Sequence, residues 1–208
     1  MENLLKTIED LKKSKVMELV ENRINDFHDI KNGSINEIFK ELCFCIMTAN
    51  CGAEKCIEIQ EKINNEFLSL SQPLLAEKFR DLGYRFPNVR SKFIVEARKK
   101  MKSLNKIIKI NNDEIELREW LSKNIKGIGY KEGSHFLRNI GYKNLAIVDF
   151  HILDLLAQYD LIEKPKTLTK KIYLEIENFL RGIGKELNLN LAELDLFLWY
   201  LETGKILK

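Results

Sequence analysis

The chain has 208 residues, of which 45% are hydrophobic and 31% are charged. This composition excludes a disordered chain and predicts a globular protein with a substantial core, in one domain or two closely packed subdomains. The net charge of +3 permits a nucleic-acid partner without requiring one. No apolar run reaches the roughly 18 residues of a membrane span, and the N-terminus resembles an amphipathic helix rather than a signal peptide. We therefore expect a cytoplasmic protein without a membrane partner.

Apolar residues recur at helical spacing along most of the chain, and alternating strand patterns are almost absent. The clearest groups, in chain order, are Leu4/Leu5/Ile8/Leu11, Ile38/Leu42/Cys45/Ile46, Phe79/Leu82, Phe93/Ile94/Ala97 and Leu191/Leu194/Phe197/Leu198/Leu201. These groups predict an all-α fold of bundled helices joined by short connections.

Four cysteines lie within one short segment, at Cys43, Cys45, Cys51 and Cys56. Their spacing matches neither a zinc ribbon nor a ferredoxin-type cluster site. We therefore expect the cysteines to pack in the core, and we predict no metal site.

A glycine-rich turn separates two helical patterns at Ile125–Lys131. Gly127 and Gly129 flank one apolar residue there, and glycine permits backbone with positive φ, so the segment predicts a tight helix-loop-helix turn. The start of the second helix offers unpaired N–H groups and the positive end of the helix dipole, which suit a phosphate oxygen. Residues 121 to 143 carry five basic side chains against one acidic one. We therefore predict that this hairpin binds a nucleic-acid backbone without reading its sequence.

Lys131 ends this glycine-rich motif, and Asp149 follows eighteen residues later at the start of another apolar helical pattern. A lysine amine is a candidate nucleophile, and a carboxylate near it is a candidate electrostatic partner. Each residue also has a simpler interpretation: Lys131 as a phosphate contact and Asp149 as a helix N-cap.

The sequence GIGYKEGSHFLRNIG, followed by AIVDFHIL, resembles the helix-hairpin-helix DNA glycosylases that carry a hairpin lysine and a downstream aspartate. The segments Glu41–Asn50 and Asp195–Lys208 are similar to those of the short archaeal and bacterial 8-oxoguanine DNA glycosylase/AP lyases. The resemblance covers nearly the whole chain. It implies one helical subdomain at about 35 to 118 and a second formed by 1 to 34 with 119 to 208. The hairpin would lie at about 119 to 141, and the active cleft would lie between the subdomains.

The resemblance also assigns roles in the active site. Lys131 would attack the deoxyribose and form a Schiff base with the sugar, while Asp149 would stabilise positive charge on the sugar and help to activate the lysine. Trp199 would stack on the extruded base, and Lys208 would reach the base pocket through a terminal carboxylate. Core packing remains open as the role of Trp199.

Further positions are implied to contact the DNA. Asn50 would enter the space left by the extruded nucleotide, Phe86 would act as a wedge in the duplex, and Arg85 would contact the partner base. A helix cap at Asn50 and a plain helix connector at 83 to 87 remain open. Phe150 stands where the resemblance leads us to expect a basic residue. Relatives with an iron-sulfur cluster place four cysteines near the C-terminus, where this chain has none, so we expect no cluster.

We therefore predict a monomeric, bifunctional 8-oxoguanine DNA glycosylase and AP lyase that acts on double-stranded DNA and is associated with the nucleoid. No cofactor is required by this mechanism, and a structural cation at the hairpin is a further expectation. Three alternatives remain: a glycosylase for another oxidised base, a noncatalytic helix-hairpin-helix DNA-binding module, and a helical protein-binding scaffold. A scaffold would show no salt-dependent affinity for DNA.

Overall fold

The computed structural model describes residues 1–208 and contains twelve α-helices and no strand, which confirms the all-α prediction. The helices are α1 (Glu2–Lys12), α2 (Lys15–Asn32), α3 (Ile35–Thr48), α4 (Ala53–Ile63), α5 (Gln72–Asp81), α6 (Pro87–Arg98), α7 (Met101–Ile110), α8 (Glu114–Asn124), α9 (Tyr130–Asn139), α10 (Phe150–Gln158), α11 (Lys170–Glu186) and α12 (Leu191–Thr203). A short 3-10 helix, Asn64–Leu68, follows α4 directly. No helix is both long enough and apolar enough to cross a membrane.

Polar caps set the starts of several helices around the site. Ser34 accepts a hydrogen bond from the backbone N–H of Glu37 at the start of α3. Asn190 and Glu193 cap each other's backbone at the start of α12, in the reciprocal arrangement of a capping box. Gly204 caps the end of α12 with a φ of +71°, a left-handed conformation that favours glycine. These local signals fix where the helices that carry the site begin and end.

The buried apolar side chains form two clusters. The first contains 27 residues, all between Ile38 and Leu145, and the second contains 21 residues from α1, α2 and the chain after Leu145. Helices α8 and α9 contribute buried apolar side chains to the first cluster, among them Leu121 and Phe136, and α9 packs against both α8 and α3. From the sequence we predicted that the hairpin belongs to the subdomain of the C-terminal helices. The limits of the two subdomains stay predictions, but the buried side chains of the hairpin pack in the first cluster.

The four cysteines are free thiols. Cys43, Cys45 and Cys56 belong to the first cluster and Cys51 is half-buried against it, which confirms that they pack in the core. Burial raises the pKa of the Cys43 and Cys45 thiols well above the ordinary value. No group of three or more His, Cys, Asp or Glu side chains converges in a way that would hold a metal ion.

A buried ion pair fixes the hairpin to the rest of the protein. The guanidinium of Arg118 in α8 donates to both carboxylate oxygens of Glu177 in α11, at 2.6 and 3.1 Å, and to the hydroxyl of Ser134 in α9 at 3.0 Å. Glu177 also accepts a hydrogen bond from the backbone N–H of Ala146 at 3.0 Å. Removing one partner of such a pair leaves a buried charge and costs about 3–5 kcal/mol. The pair therefore holds α8, α9 and α11 in one fixed arrangement.

Candidate active site

A cleft of about 610 Å³ opens where the α3–α4 junction meets α9, α10 and α12. Both hydrophobic clusters adjoin it, since α3 and α9 belong to the first and α10 and α12 to the second. Six of the residues selected from the sequence line this cleft: Asn50, Arg85, Lys131, Asp149, Trp199 and Lys208. Gly127, Gly129 and Phe86 lie outside its lining.

The hairpin loop uses its two glycines for different purposes. Gly127 has a φ of +84°, and a Cβ atom there would lie 2.6 Å from the ring of Phe93. Gly129 has a φ of −97° and serves as the N-cap of α9, where its N–H donates to the carboxylate of Glu132 at 3.2 Å. Of the two glycines, only Gly127 adopts the left-handed backbone that glycine permits, and this single residue completes the turn.

Lys131 is the second residue of α9, and its half-buried side chain lines the cleft. The N–H groups of the first helical turn have no helical partner there, and the helix dipole adds positive potential. Two other lysines of the hairpin are paired: Lys126 with Glu96 at 3.1 Å and Lys123 with Glu119 at 3.8 Å. Lys131 forms no ion pair within 4.0 Å. Its amine is therefore available to a ligand in the cleft.

Asp149 begins α10 and lines the same cleft as Lys131. One carboxylate oxygen accepts a hydrogen bond from the backbone N–H of Ile152 at 3.0 Å, so the residue is an N-cap. The cap fixes the orientation of the carboxylate and leaves its second oxygen for another contact. The structure therefore places the lysine and the aspartate in the lining of one cleft, each at the start of a helix.

A chain of buried polar contacts runs from the cleft wall to the C-terminal segment. Arg138 is hydrogen-bonded to Asp195 and donates to the side-chain oxygen of Asn139 at 2.9 Å. Asn139 donates to Glu41 at 3.2 Å, and Glu41 accepts a hydrogen bond from the ammonium of Lys208 at 2.8 Å. The network connects α3, α9 and α12 with Lys208.

Asp195 titrates in an unusual range for an aspartate. Burial raises the pKa of its carboxyl to about 6, although Arg138 opposes this effect, and the nearby Asp149 raises the pKa further. Asp195 lines the cleft together with both of these residues. The cleft therefore contains a carboxyl group that changes its charge near neutral pH.

Aromatic side chains form one wall of the cleft. Trp199 is half-buried, and the ring of His151 meets it edge-on with 5.1 Å between ring centroids. The ring of Phe150 lies 4.1 Å from that of His151, and Phe150 is 62% exposed. The indole N–H of Trp199 is buried without a hydrogen-bond partner. This wall offers an aromatic surface on which a planar base can stack.

The residues selected for contact with the duplex lie in two loops near the α3–α4 junction. Asn50 is exposed, lies two residues after the end of α3 and has a φ of +62°. Arg85 is also exposed, and its guanidinium lies 5.0 Å from the ring centroid of Phe86. Phe86 is half-buried against the first cluster as the N-cap of α6. Arg90 joins the loops by donating to the backbone oxygen of Ala49 at 3.0 Å.

Sequence analysis did not identify several residues that line the cleft. His135 stands one helical turn after Lys131, and Asp195 stands one turn before Trp199. Each of them lies on the same helix face as a residue that we selected from the sequence, so helical spacing could have indicated both. Arg138 was counted only as one of the five basic side chains of residues 121 to 143, and its pairing with Asp195 was not expected.

An all-helical body, with a glycine hairpin beside a cleft that holds a lysine and an aspartate, defines the helix-hairpin-helix class of DNA glycosylase folds. The family model described as 8-oxoguanine DNA glycosylase matches residues 20–189. The chain belongs to this family.

Similar proteins extend the match to the whole chain. The 8-oxoguanine DNA glycosylase/AP lyase of Methanocaldococcus jannaschii is 52% identical over 206 residues, which cover 99% of each chain. A crystal structure of that organism's 8-oxoguanine glycosylase/lyase, in complex with a 15mer DNA containing 8-oxoguanine, superposes with a TM-score of 0.95 at 51% identity and covers 99% of each chain. The structure of the Thermotoga maritima 8-oxoguanine DNA glycosylase gives a TM-score of 0.93 at 42% identity, covering 100% of this chain and 99% of that one.

Proposed function

We propose that this protein removes 8-oxoguanine from double-stranded DNA and then cleaves the strand at the abasic site through a lysine Schiff base. The observation that carries the proposal is that Lys131 and Asp149 line one cleft of about 610 Å³. Membership of the 8-oxoguanine DNA glycosylase family supports the same substrate and reaction. The relative from Methanocaldococcus jannaschii is bound to DNA that contains this lesion.

Binding begins at the DNA backbone. The free N–H groups at the start of α9 and the sharp turn at Gly127 suit a phosphate group, so the hairpin holds the strand near the cleft. A base inside a duplex is out of reach of Lys131, so the nucleotide must rotate into the cleft at a cost of a few kcal/mol. Asn50 and Arg85, which are exposed at the cleft, are placed to enter the space that the nucleotide leaves. The wedge role of Phe86 is part of the same proposal.

The chemistry starts from the neutral amine of Lys131. Its lone pair forms a bond to C1′ of the deoxyribose while the bond from C1′ to the base breaks, and the base leaves with that electron pair and takes up a proton. The sugar ring then opens to a Schiff base between the lysine nitrogen and C1′. Loss of a proton from C2′ allows the bond between C3′ and the phosphate oxygen to break, which cleaves the strand. Water hydrolyses the Schiff base and restores the amine.

Asp149 acts on the charge that develops during the first step. Positive charge grows on the sugar as the base leaves, and a carboxylate held in place by its cap to Ile152 stabilises that charge without rearranging. The same group accepts and returns protons as the amine changes its charge. Trp199 and Lys208, at the wall and the end of the cleft, contact the base.

The steps use only the lysine amine, water and the DNA as reactants, so the proposed mechanism requires neither a metal nor an iron-sulfur cluster. A structural cation held by backbone carbonyls of the hairpin would supply positive charge for binding the DNA backbone and would take no part in the chemistry. The protein would act as a monomer on DNA of the nucleoid, in the cytoplasm.

The experiment uses duplexes that contain one 8-oxoguanine, one oxidised pyrimidine or no lesion. We expect the protein to cut only the first at the lesion without alkali, and to leave the ends that β-elimination produces. Cutting of the pyrimidine duplex instead would identify a glycosylase for another oxidised base. Binding without cutting of any duplex would indicate a noncatalytic DNA-binding module.

A further inference from the structure

Tyr173 is a buried tyrosine of α11 that the proposed mechanism does not use. It is 3% exposed, and burial raises the pKa of its hydroxyl above the ordinary value. The hydroxyl therefore stays protonated, with one donor hydrogen and two acceptor lone pairs. Buried hydroxyl groups are usually hydrogen-bonded, so the three partners of this one show which parts of the chain it holds together.

Two of those partners lie in the segment 145–148, which ends just before α10 and its cap. The Tyr173 hydroxyl donates to the backbone oxygen of Ala146 at 2.7 Å and accepts a hydrogen bond from the backbone N–H of Val148 at 3.3 Å. The segment is neither helix nor strand, and it forms no hydrogen bond to another backbone group. Tyr173 and Glu177, one turn apart on α11, therefore supply the partners that this buried backbone needs.

The third partner belongs to the helix that carries Lys131. The hydroxyl of Ser134, one helical turn after Lys131 on α9, lies 3.2 Å from the Tyr173 hydroxyl. Because Tyr173 gives its hydrogen to the segment, Ser134 donates here, and its oxygen accepts from Arg118 at 3.0 Å. The ring of Tyr173 also meets that of Tyr130, the residue before Lys131, with 5.7 Å between centroids and 74° between ring planes. Tyr173 thus contacts α9 on both sides of Lys131 in the sequence.

We propose that Tyr173 is a positioning residue that sets the carboxylate of Asp149 relative to the amine of Lys131. This inference rests on the proposed function. The Tyr173 hydroxyl bonds to Val148, directly before Asp149, and to Ser134 on the helix of Lys131, so one buried group joins the two parts of the chain that carry the pair. A carboxylate stabilises charge on the sugar only from the correct position, and a displacement of about 1 Å can slow such a reaction by about 100-fold.

Removal of the hydroxyl should displace Asp149 rather than Lys131. Helix α9 packs against α2, α3 and α8, and these contacts do not involve the Tyr173 hydroxyl. The segment 145–148 has no such support, because it depends on side chains of α11 for its hydrogen bonds. A defect in Tyr173→Phe should therefore act through the carboxylate of Asp149.

The test is a double-mutant cycle that measures single-turnover excision of 8-oxoguanine at saturating protein. We expect Tyr173→Phe to slow excision by at least about tenfold and to change the affinity for the duplex by less than about twofold. In the Asp149→Asn background the same substitution should slow excision by less than about twofold, because the charge to be positioned is already absent. A purely structural role of Tyr173 would not produce this dependence on Asp149.

Tyr84→Phe is the matched control. Tyr84 is similarly buried, and its hydroxyl also donates to a backbone oxygen at 2.7 Å, that of Met47, but Tyr84 does not line the cleft. The excision rate of this control should equal that of wild type. Ser134→Ala cuts the same bridge from the side of α9, so it should reproduce the defect, with the same dependence on Asp149, if Tyr173→Phe does not fold.

The outcomes separate the inference from the proposed function. All rates are measured at a temperature where thermal unfolding shows each variant to be folded. Equal slowing by Tyr173→Phe with and without the Asp149 carboxylate would overturn the inference, as would a wild-type rate in Tyr173→Phe. Equal slowing in Tyr84→Phe would also overturn it, since the loss of any buried hydroxyl would then suffice. A wild-type protein that excises no 8-oxoguanine overturns the proposed function itself, and the inference with it.

Discussion

The ammonium of Lys208 lies 2.8 Å from the carboxylate of Glu41, a residue of α3 that is only 5% exposed. The side chain of Gln60 donates to the same carboxylate at 3.0 Å, and the Lys208 ammonium lies 4.9 Å from the ring centroid of Phe44. Terminal segments usually fray unless specific contacts hold them. These contacts keep the segment after α12 against the cleft, so that α3 determines where Lys208 lies in the cleft wall.

Replacing Glu41 with glutamine removes the charge that anchors Lys208. We expect Glu41→Gln to lower the free energy of unfolding by about 1–3 kcal/mol, because the half-buried ammonium of Lys208 loses its charged partner in the core. The affinity for damaged DNA should fall by a larger factor than the rate at which the bound complex excises the base. Chemical denaturation and a binding titration measure the two effects.

Lys205→Gln is the matched control for Glu41→Gln. Lys205 pairs with Glu54, but both side chains are more than half exposed. The control should change the free energy of unfolding by less than about 0.5 kcal/mol. Equal effects of the two variants would mean that the contact between Glu41 and Lys208 has no special role.

Asp149→Asn separates the capping role of this residue from its catalytic role. Asparagine caps a helix about as well as aspartate, so the thermal stability should hardly change. Excision of 8-oxoguanine should slow by about 10²–10³-fold, since the negative charge opposite the sugar is lost. Single-turnover kinetics at saturating protein measures the rate, and a binding titration should show nearly unchanged affinity. Full activity in this variant would remove Asp149 from the mechanism.

Gly127 and Gly182 form a matched pair of glycine sites. Gly127→Ala places a Cβ atom 2.6 Å from the ring of Phe93 at a φ of +84°, and we expect it to cost about 1–3 kcal/mol and to weaken DNA binding. Gly182 lies in α11 with nothing within 4 Å of an added Cβ atom. Gly182→Ala should stabilise the protein by about 0.5–1 kcal/mol. Denaturation curves of the two variants that shift in the same direction would contradict this account of the hairpin.

The titration of Asp195 should appear in the stability of the protein. Its pKa in the folded state is raised to about 6, above the value near 3.9 of an unfolded aspartate. The folded state therefore binds this proton more tightly. The stabilisation that results is complete below about pH 4 and is lost as the pH rises through about 6.

Asp195→Asn lacks this titration. The free energy of unfolding of wild type minus that of the variant should therefore decrease between about pH 4 and 6 and level off above that range. Denaturation of both proteins over that range measures the difference. A difference that grows with pH would mean that the contact with Arg138 outweighs burial.

Local patterns in the sequence identified the helices and the central pair of the site. Helical spacing of apolar residues predicted the all-α fold, and the glycine motif selected Lys131 because such turns have a narrow range of backbone conformations. The start of an apolar helical pattern predicted a cap at Asp149, and the resemblance to the helix-hairpin-helix DNA glycosylases gave both residues their catalytic roles. The glycine motif and the start of an apolar helical pattern each span only a few residues, so both are visible in the sequence alone.

Such local patterns do not predict contacts between residues that are far apart in the sequence. Glu41 and Lys208 are 167 positions apart, and Arg118 and Glu177 are 59 apart. Each of these residues alone would be interpreted as a solvated charge, because burial is set by the packing of whole helices. The polar residue His135 was overlooked for the same reason, although it shares a helix face with Lys131.

The most direct measurement is borohydride trapping on a duplex that contains one 8-oxoguanine, with wild type, Lys131→Gln and Lys126→Gln. Lys126 lies in the same hairpin but is exposed and paired with Glu96, so Lys126→Gln controls for the loss of one positive charge. We expect a covalent protein-DNA adduct with wild type and Lys126→Gln and none with Lys131→Gln, which should still bind the duplex. An adduct with Lys131→Gln, or none with wild type, would contradict the assignment of Lys131 as the nucleophile.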